Sequence, residues 1–418
     1  MNDFQEIKTT KTFSVLKRTG NNGGRCEFSL IPQKNLRQLY LVAESGPEGS
    51  LESRFAEIRN TMADVLTQQK MSDSVVAISV FTADIGQKQF LRQQFADFFG
   101  KNIPAMTYIP QTSCFGDSFA IELFAIGGNA GAFEIQRDSE NAVLVSTGDM
   151  TILLCGDIRS ADGPMYSYDR SLHALKTMQH LLERNGYGFS DMYRTWFYQG
   201  HIVDAEGETQ RYKELNRARS DMYLGQKFIT QFLPQGHQGI AFPASTGIGT
   251  DDYDLVASCQ AIRAERDDLI IVPLENPMQV SAFDYAQVYS PKSPKFSRAT
   301  AFVAGSDAKV YISGTASITD SESRFEGDPE RQTHQTLDNI AALVTAENLA
   351  KHGANGFDAT LEHTVVVRVY VKYREHFPLV RQVCEQRIPG TPIIYTFADV
   401  CRPELLVEIE GIIVPEMI

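Results

Sequence analysis

Histidine is scarce in this sequence. Only 8 of its 418 residues are histidine, and they are dispersed, with no Ser-His-Asp set and no metal-ligand spacing. The six cysteines (Cys26, Cys114, Cys155, Cys259, Cys384, Cys401) lack CxxC or Cys/His spacing. That excludes a zinc site or a disulfide framework and reads as reduced thiols of a cytoplasmic protein. No apolar run approaches the roughly 18 residues that cross a bilayer, so no membrane partner is expected. The start, MNDFQEIKTTKTF, has no apolar stretch of the secretory kind. No phosphate loop is present: TGIGT (246–250) lacks the Lys-Ser/Thr pair and a strand-to-helix setting. No cofactor and no metal is expected.

Positive charge is also in short supply. The 39 Lys and Arg face 52 Asp and Glu, for a net charge of −13. Nucleic-acid binding needs a basic surface to displace counterions, so it is not expected. A small anionic substrate stays open, because one pocket can be basic inside an acidic chain. The length suits two to four domains.

What the chain does have is a repeat. A strand, QLYLVAES, precedes a helix whose Leu51, Phe55, Ile58, Met62 and Val65 form one stripe. SVVAISVF, a short helix around Phe90–Phe98, AMTYIPQT and SFAIELFAI complete a first unit. MTILLCGDI, a helix through Leu172–Leu182, DMYRTWFYQGHIV, the helix QRYKELNRARSDMYLG and DLVASCQAI form a second, with KFITQFLPQGHQGIAFP as an insertion. KVYISGTAS begins the third. Asp328 is placed to cap a helix with Pro329 at its first position. TVVVRVYVKY, HFPLVRQVCEQ, PIIYTFADV and LLVEIEGII follow.

One such unit cannot cover both faces of its sheet. Three units with sheets inside and helices outside would bury a common core. The expected fold is therefore α+β, a pseudo-trimer of units 1–132, 133–272 and 273–418. The chain would be a monomer or a low homo-oligomer.

The order of elements, with SGTAS before the long helix and VEIEGI closing the unit, resembles the YjgF/RidA (chorismate-mutase-like) family. A second resemblance covers 145–418. ENPMQVSAFDYAQVYSPKSPKFSRA (275–299), YISGTASI (311–318), GDPERQTHQTLDNI (327–340), VRVYV (367–371) and ADVCRPELLVEIE (398–410) resemble successive motifs of chorismatases. RTWFYQGHI (194–202) and YKELNRARSDMY (212–223) resemble that family's N-terminal half. The resemblance implies hydrolysis of the enolpyruvyl ether of chorismate. Pyruvate would leave, with a dihydroxy-cyclohexadiene acid or a hydroxybenzoate as the other product.

That chemistry needs a proton delivered to carbon, which a carboxylic acid kept neutral by an apolar site can supply. Glu408 is the expected catalytic acid. It shares a strand face with Leu406 and Glu410, while Leu405, Val407 and Ile409 take the other. The expected substrate-binding residues are Arg368, Arg298, Cys401, Ser317, Arg194 and Arg219. Arginine suits a dicarboxylate through its bidentate fork. By the resemblance, Cys401 lines the pocket and steers the intermediate. Arg194, Trp196 and Tyr198 share one strand face; Asn216, Arg217 and Arg219 read as a solvated helix face. Glu122 matches Glu408 in the first unit and reads as structural or vestigial, as does that unit as a whole.

Two other readings remain. TDSESRFEGD follows SGTASI where the family has histidines, which fits a non-catalytic carboxylate binder. An enamine/imine deaminase would need an arginine on the fifth strand, and AMTYIPQT, FPASTGIG and PIIYTFAD have none.

Overall fold

The computed structural model describes the chain except residues 1–3, 20–23, 117–118, 161–162, 164, 253 and 286–291. Pro291 and the middle of the 275–299 motif therefore lie outside the described residues.

Three sheets follow one another along the chain. The first has seven strands in the order Gln5–Thr9, Ser14–Thr19, Arg25–Pro32, Leu36–Glu44, Ala120–Gly128, Val75–Phe81 and Ala105–Ile109. The second has six: Ala244–Thr250, Met192–Gly200, Leu255–Ala264, Met150–Arg159, Ala142–Thr147 and Glu134–Ser139. The third also has six: Leu269–Leu274, Ala299–Ala304, Asp307–Ala316, Val407–Ile413, Thr364–Val371 and Ile393–Phe397. Each sheet contains one parallel pair, bridged by a helix: Lys88–Phe99, Arg211–Met222 or Phe377–Arg387. The expected division at 272 falls inside Leu269–Leu274, which pairs with Ala299–Ala304; strand pairing puts it a few residues earlier.

Apolar periodicity explains the layering. Phe55, Ile58, Met62 and Val65 of the helix Leu51–Gln69 pack on Leu39, Leu41, Ile121 and Leu123 of the first sheet. Leu175, Met178 and Leu182 of the helix Ser167–Arg184 cover the second sheet. Leu337, Ile340 and Leu343 of the helix Pro329–Leu343 cover the third. Asp328 caps that last helix by accepting from the Arg331 amide at 2.9 Å, with Pro329 following, as the sequence implies. The opposite sheet faces meet in one cluster that joins Phe13, Val42 and Phe81 to Tyr198 and Ile248 and to Val365, Tyr370 and Leu405. No helix among the described residues is long and apolar enough to cross a membrane.

Candidate functional site

The strand Val407–Ile413 alternates, but the expected faces of the two residues before it are reversed: Leu406 joins the helix-side core and Leu405 the opposite cluster, because regular alternation starts only at Val407. Val407, Ile409 and Ile413 enter the helix-side core, so Glu408 and Glu410 turn toward the second sheet, where a parallel edge strand, Ala244–Thr250, lies against them. Both glutamates are buried, at 4% and 3% exposure. Their surroundings differ sharply.

Glu410 is held by donors. Arg194 and the Thr246 hydroxyl donate to it, joined by the Trp196 indole N–H at 2.8 Å, the Tyr370 hydroxyl at 2.5 Å and Arg368 at 3.4 Å. Burial pushes this carboxyl up, but Arg194, Arg368 and the two hydroxyls outweigh it and hold it below its usual range. Glu408 makes no hydrogen bond to protein among the described residues. Burial pushes it up to about 8, the Glu410 charge adds to the rise, and Arg194 opposes it. Burial thus favours the neutral form of Glu408, while its donors favour the ionised form of Glu410.

A local irregularity makes room for the neutral acid. Along its partner Asp307–Ala316, register slips between Ile312 and Thr315, one residue more than on the facing strand. Gly314 sits in this bulge. A Cβ there would run into the Glu408 carboxyl oxygen and crowd the Thr246 methyl.

Glu408 opens onto a cavity shared by the second and third sheets. Its wall includes Arg298, Arg219, Asn216, Tyr212, Cys401 and Arg402. Arg298 donates to the Val280 carbonyl (2.8 Å) and the Tyr285 hydroxyl (2.7 Å), and its Nε has no partner among the described residues. Arg219 donates to the Lys295 carbonyl and likewise leaves its Nε unused. Neither amide atom of the fully buried Asn216 makes a sound hydrogen bond, although the Tyr212 phenol lies beside it. Burial, then the nearby Glu408, pushes the Cys401 thiol up to about 12, so it is a neutral wall group.

Of the anticipated residues, the structure brings Glu408, Arg298, Arg219 and Cys401 to one cavity. It does not bring Arg368, Arg194 or Ser317 there. Arg368 is spent on a two-point pair with Glu122, at 2.8 Å in both contacts, and on Tyr198, Ser79 and Glu410. Arg194 lies over the Trp196 ring and pairs with Glu410. Ser317 donates to the Arg324 carbonyl at 3.1 Å, a local turn contact. The reading of a solvated helix face is also corrected: Asn216 and Arg219 are buried, and Arg217 alone is exposed, paired with Glu214. Tyr212, Asn216 and Arg219 recur at four and three residues, a polar stripe whose spacing was the available signal. Gly314 gave no such signal.

Comparison with known proteins follows this geometry. Residues 292–414 match the Endoribonuclease L-PSP family. Over 248 residues the chain is 36% identical to the 3-hydroxybenzoate synthase of Streptomyces hygroscopicus, covering 57% of this chain and 68% of that one. It is 31% identical over 266 residues to a chorismatase of the same organism, 62% and 71% respectively. A chorismatase of Streptomyces rapamycinicus is 33% identical over 233 residues, 54% and 65%. A chorismatase crystal structure superposes with a TM-score of 0.63 over 82% of this chain and 93% of that one, at 23% identity.

Proposed function

The chain belongs to the chorismatase family of enzymes, and from that premise we propose that it releases pyruvate from chorismate, with Glu408 as the proton donor. The observation that carries this is a single one: a buried carboxyl, neutral below about pH 8, opening onto a cavity that holds two arginines with unused Nε donors.

Glu408 gives its proton to the terminal methylene carbon of the enolpyruvyl group, leaving an oxocarbenium ion. Water adds to that cation, and the hemiketal collapses to pyruvate and an alcohol. If instead the ring C–O bond of that cation breaks, pyruvate leaves with the oxygen and the ring gives a proton back to the Glu408 carboxylate as it aromatises, so a hydroxybenzoate forms with no net water consumed. Arg298 and Arg219 receive the substrate carboxylates. Glu410, kept ionised, stabilises developing positive charge and helps hold Glu408 neutral. Cys401 lies on the cavity wall, which supports the hydroxybenzoate outcome, as does the similarity to a 3-hydroxybenzoate synthase.

We further propose that the three consecutive sheets are three YjgF-like units (1–132, 133–272, 273–418, with the strand correction above) around a pseudo-threefold axis. The second and third build the reaction cleft.

Incubating the protein with chorismate tests the activity. Pyruvate release is expected, falling by about 10²- to 10⁴-fold in Glu408→Gln, the range of general acid catalysis. No pyruvate from the wild type, or an unchanged rate in the variant, sinks the assignment.

A further inference from the structure

A second cavity, sharing no lining residue with the first, opens where hairpins of the three sheets meet. Its volume is about 630 Å³, within the ordinary size of small-molecule sites. The hairpins reverse at 32–37, 147–150 and 304–307. Past the reversals the cavity is lined by residues that include Gln38, Ile152 and Lys309. Three sheets thus offer an amide, an alkyl group and an amine at one place.

Lys309 is the unusual member. An ammonium has three donors. Here Gln38 Oε1 accepts one and the Tyr40 hydroxyl, at 3.1 Å, a second. The third has no acceptor among the described residues. The rings of Tyr40, Tyr311 and Phe124 surround the nitrogen at 5.2, 5.8 and 5.9 Å. No carboxylate among the described residues pairs with it. Burial brings the amine down to about 7, and Asp307 on its own strand is the charge that opposes this.

The rest of the wall fits an apolar acid. Met150, Ile152, Leu269 and Phe302 give it an apolar side. Four basic residues and one acidic residue line it, the reverse of the chain's overall balance. Lys11 and Arg266 are neutralised by Glu416 and Asp268, whereas Lys34 and Lys309 make no ion pair among the described residues. A cationic corner with a spare donor, set against an aromatic and aliphatic wall, recognises a ring bearing one carboxylate.

We propose that this cavity is a second ligand site, for an aromatic carboxylic acid whose carboxylate rests on Lys309 and whose ring lies along Met150, Ile152 and Phe302. An anion there supplies a counter-charge that no described carboxylate gives this partly buried amine.

Lysine footprinting of the wild-type full chain tests this without any variant. The protein is reductively methylated alone, with 2-naphthoate and with the neutral 2-naphthamide, and Lys309 is read by peptide mass mapping. Naphthoate is expected to slow Lys309 methylation at least tenfold while naphthamide leaves it unchanged. Equal labelling under all three conditions, equal protection by the amide, or no labelling of Lys309 in the free protein overturns the proposal. In a fluorescence titration, Lys309→Met is expected to remove one class of naphthoate site that Arg298→Met retains. Loss of that class in Arg298→Met instead places it at the Glu408 cavity and overturns the proposal as well.

Discussion

Glu408 and Glu410 differ by two positions and by one proton. Alternation places them on the same face; what separates them is the count of donors around each. Because burial raises Glu408 above its ordinary 4.5 to about 8, the folded protein binds a proton there that the unfolded chain releases. Its stabilising contribution is complete below about pH 4.5, declines as pH rises and is lost through about 8. Glu408→Gln is therefore expected to melt above the wild type at pH 9, by an amount on the order of a few kcal/mol, and to show no such advantage at pH 4.5. Calorimetry of both proteins at the two pH values checks this. A second residue-scale expectation concerns the product. Cys401→Ala enlarges the cavity wall beside the acid, and chromatography of the reaction mixture should show the dihydroxy-cyclohexadiene acid gaining over the hydroxybenzoate. Alternation and motif order made Glu408 legible in the sequence. Arg368 misled, because a strand arginine that meets a protein carboxylate looks the same in sequence as one that meets a substrate, and its partner Glu122 lies 246 positions away.

At the scale of elements, the site depends on a bulge. The second sheet carries the same irregularity between Cys155 and Ile158, while the equivalent pairing in the first sheet runs from Leu36↔Gly128 to Glu44↔Ala120 without a slip. In the third sheet the slip places Gly314, with no Cβ, against the Glu408 carboxyl. Gly314→Ala is expected to displace the Glu408 carboxyl, lowering kcat at least tenfold and costing about 1–3 kcal/mol as over-packing does; kinetics and urea denaturation read the two effects. The long helices and the central strands of each sheet were legible from periodicity, whereas added strands such as Arg25–Pro32, Ala142–Thr147 and Ala299–Ala304 were not. The bulge was not, since one extra residue in a strand leaves the alternation on either side intact. The helix Arg211–Met222 shows a related limit: its polar stripe at 212, 216 and 219 faces a cavity made by other elements, so spacing alone left it looking solvated.

For the whole molecule, the first sheet contributes more than bulk. Its Glu122 holds Arg368, which in turn touches Glu410, so the charge network beside the acid spans all three sheets. Glu122→Gln leaves a buried guanidinium short of its partner and should cost about 3–5 kcal/mol, the usual penalty for breaking a buried pair. Because the sheets share one apolar cluster, fluorescence and circular dichroism should report a single coincident urea transition, shifted as a whole. The mixed α+β character was readable in sequence, but this tie across sheets was not, since it exists only once the strands are packed. The central claim remains that a neutral Glu408 delivers the proton. The most direct test is the rate of pyruvate release from chorismate as a function of pH. A rate that is level below about pH 8 and falls tenfold per unit above it is predicted; a rate that holds or rises above pH 8 would contradict the account.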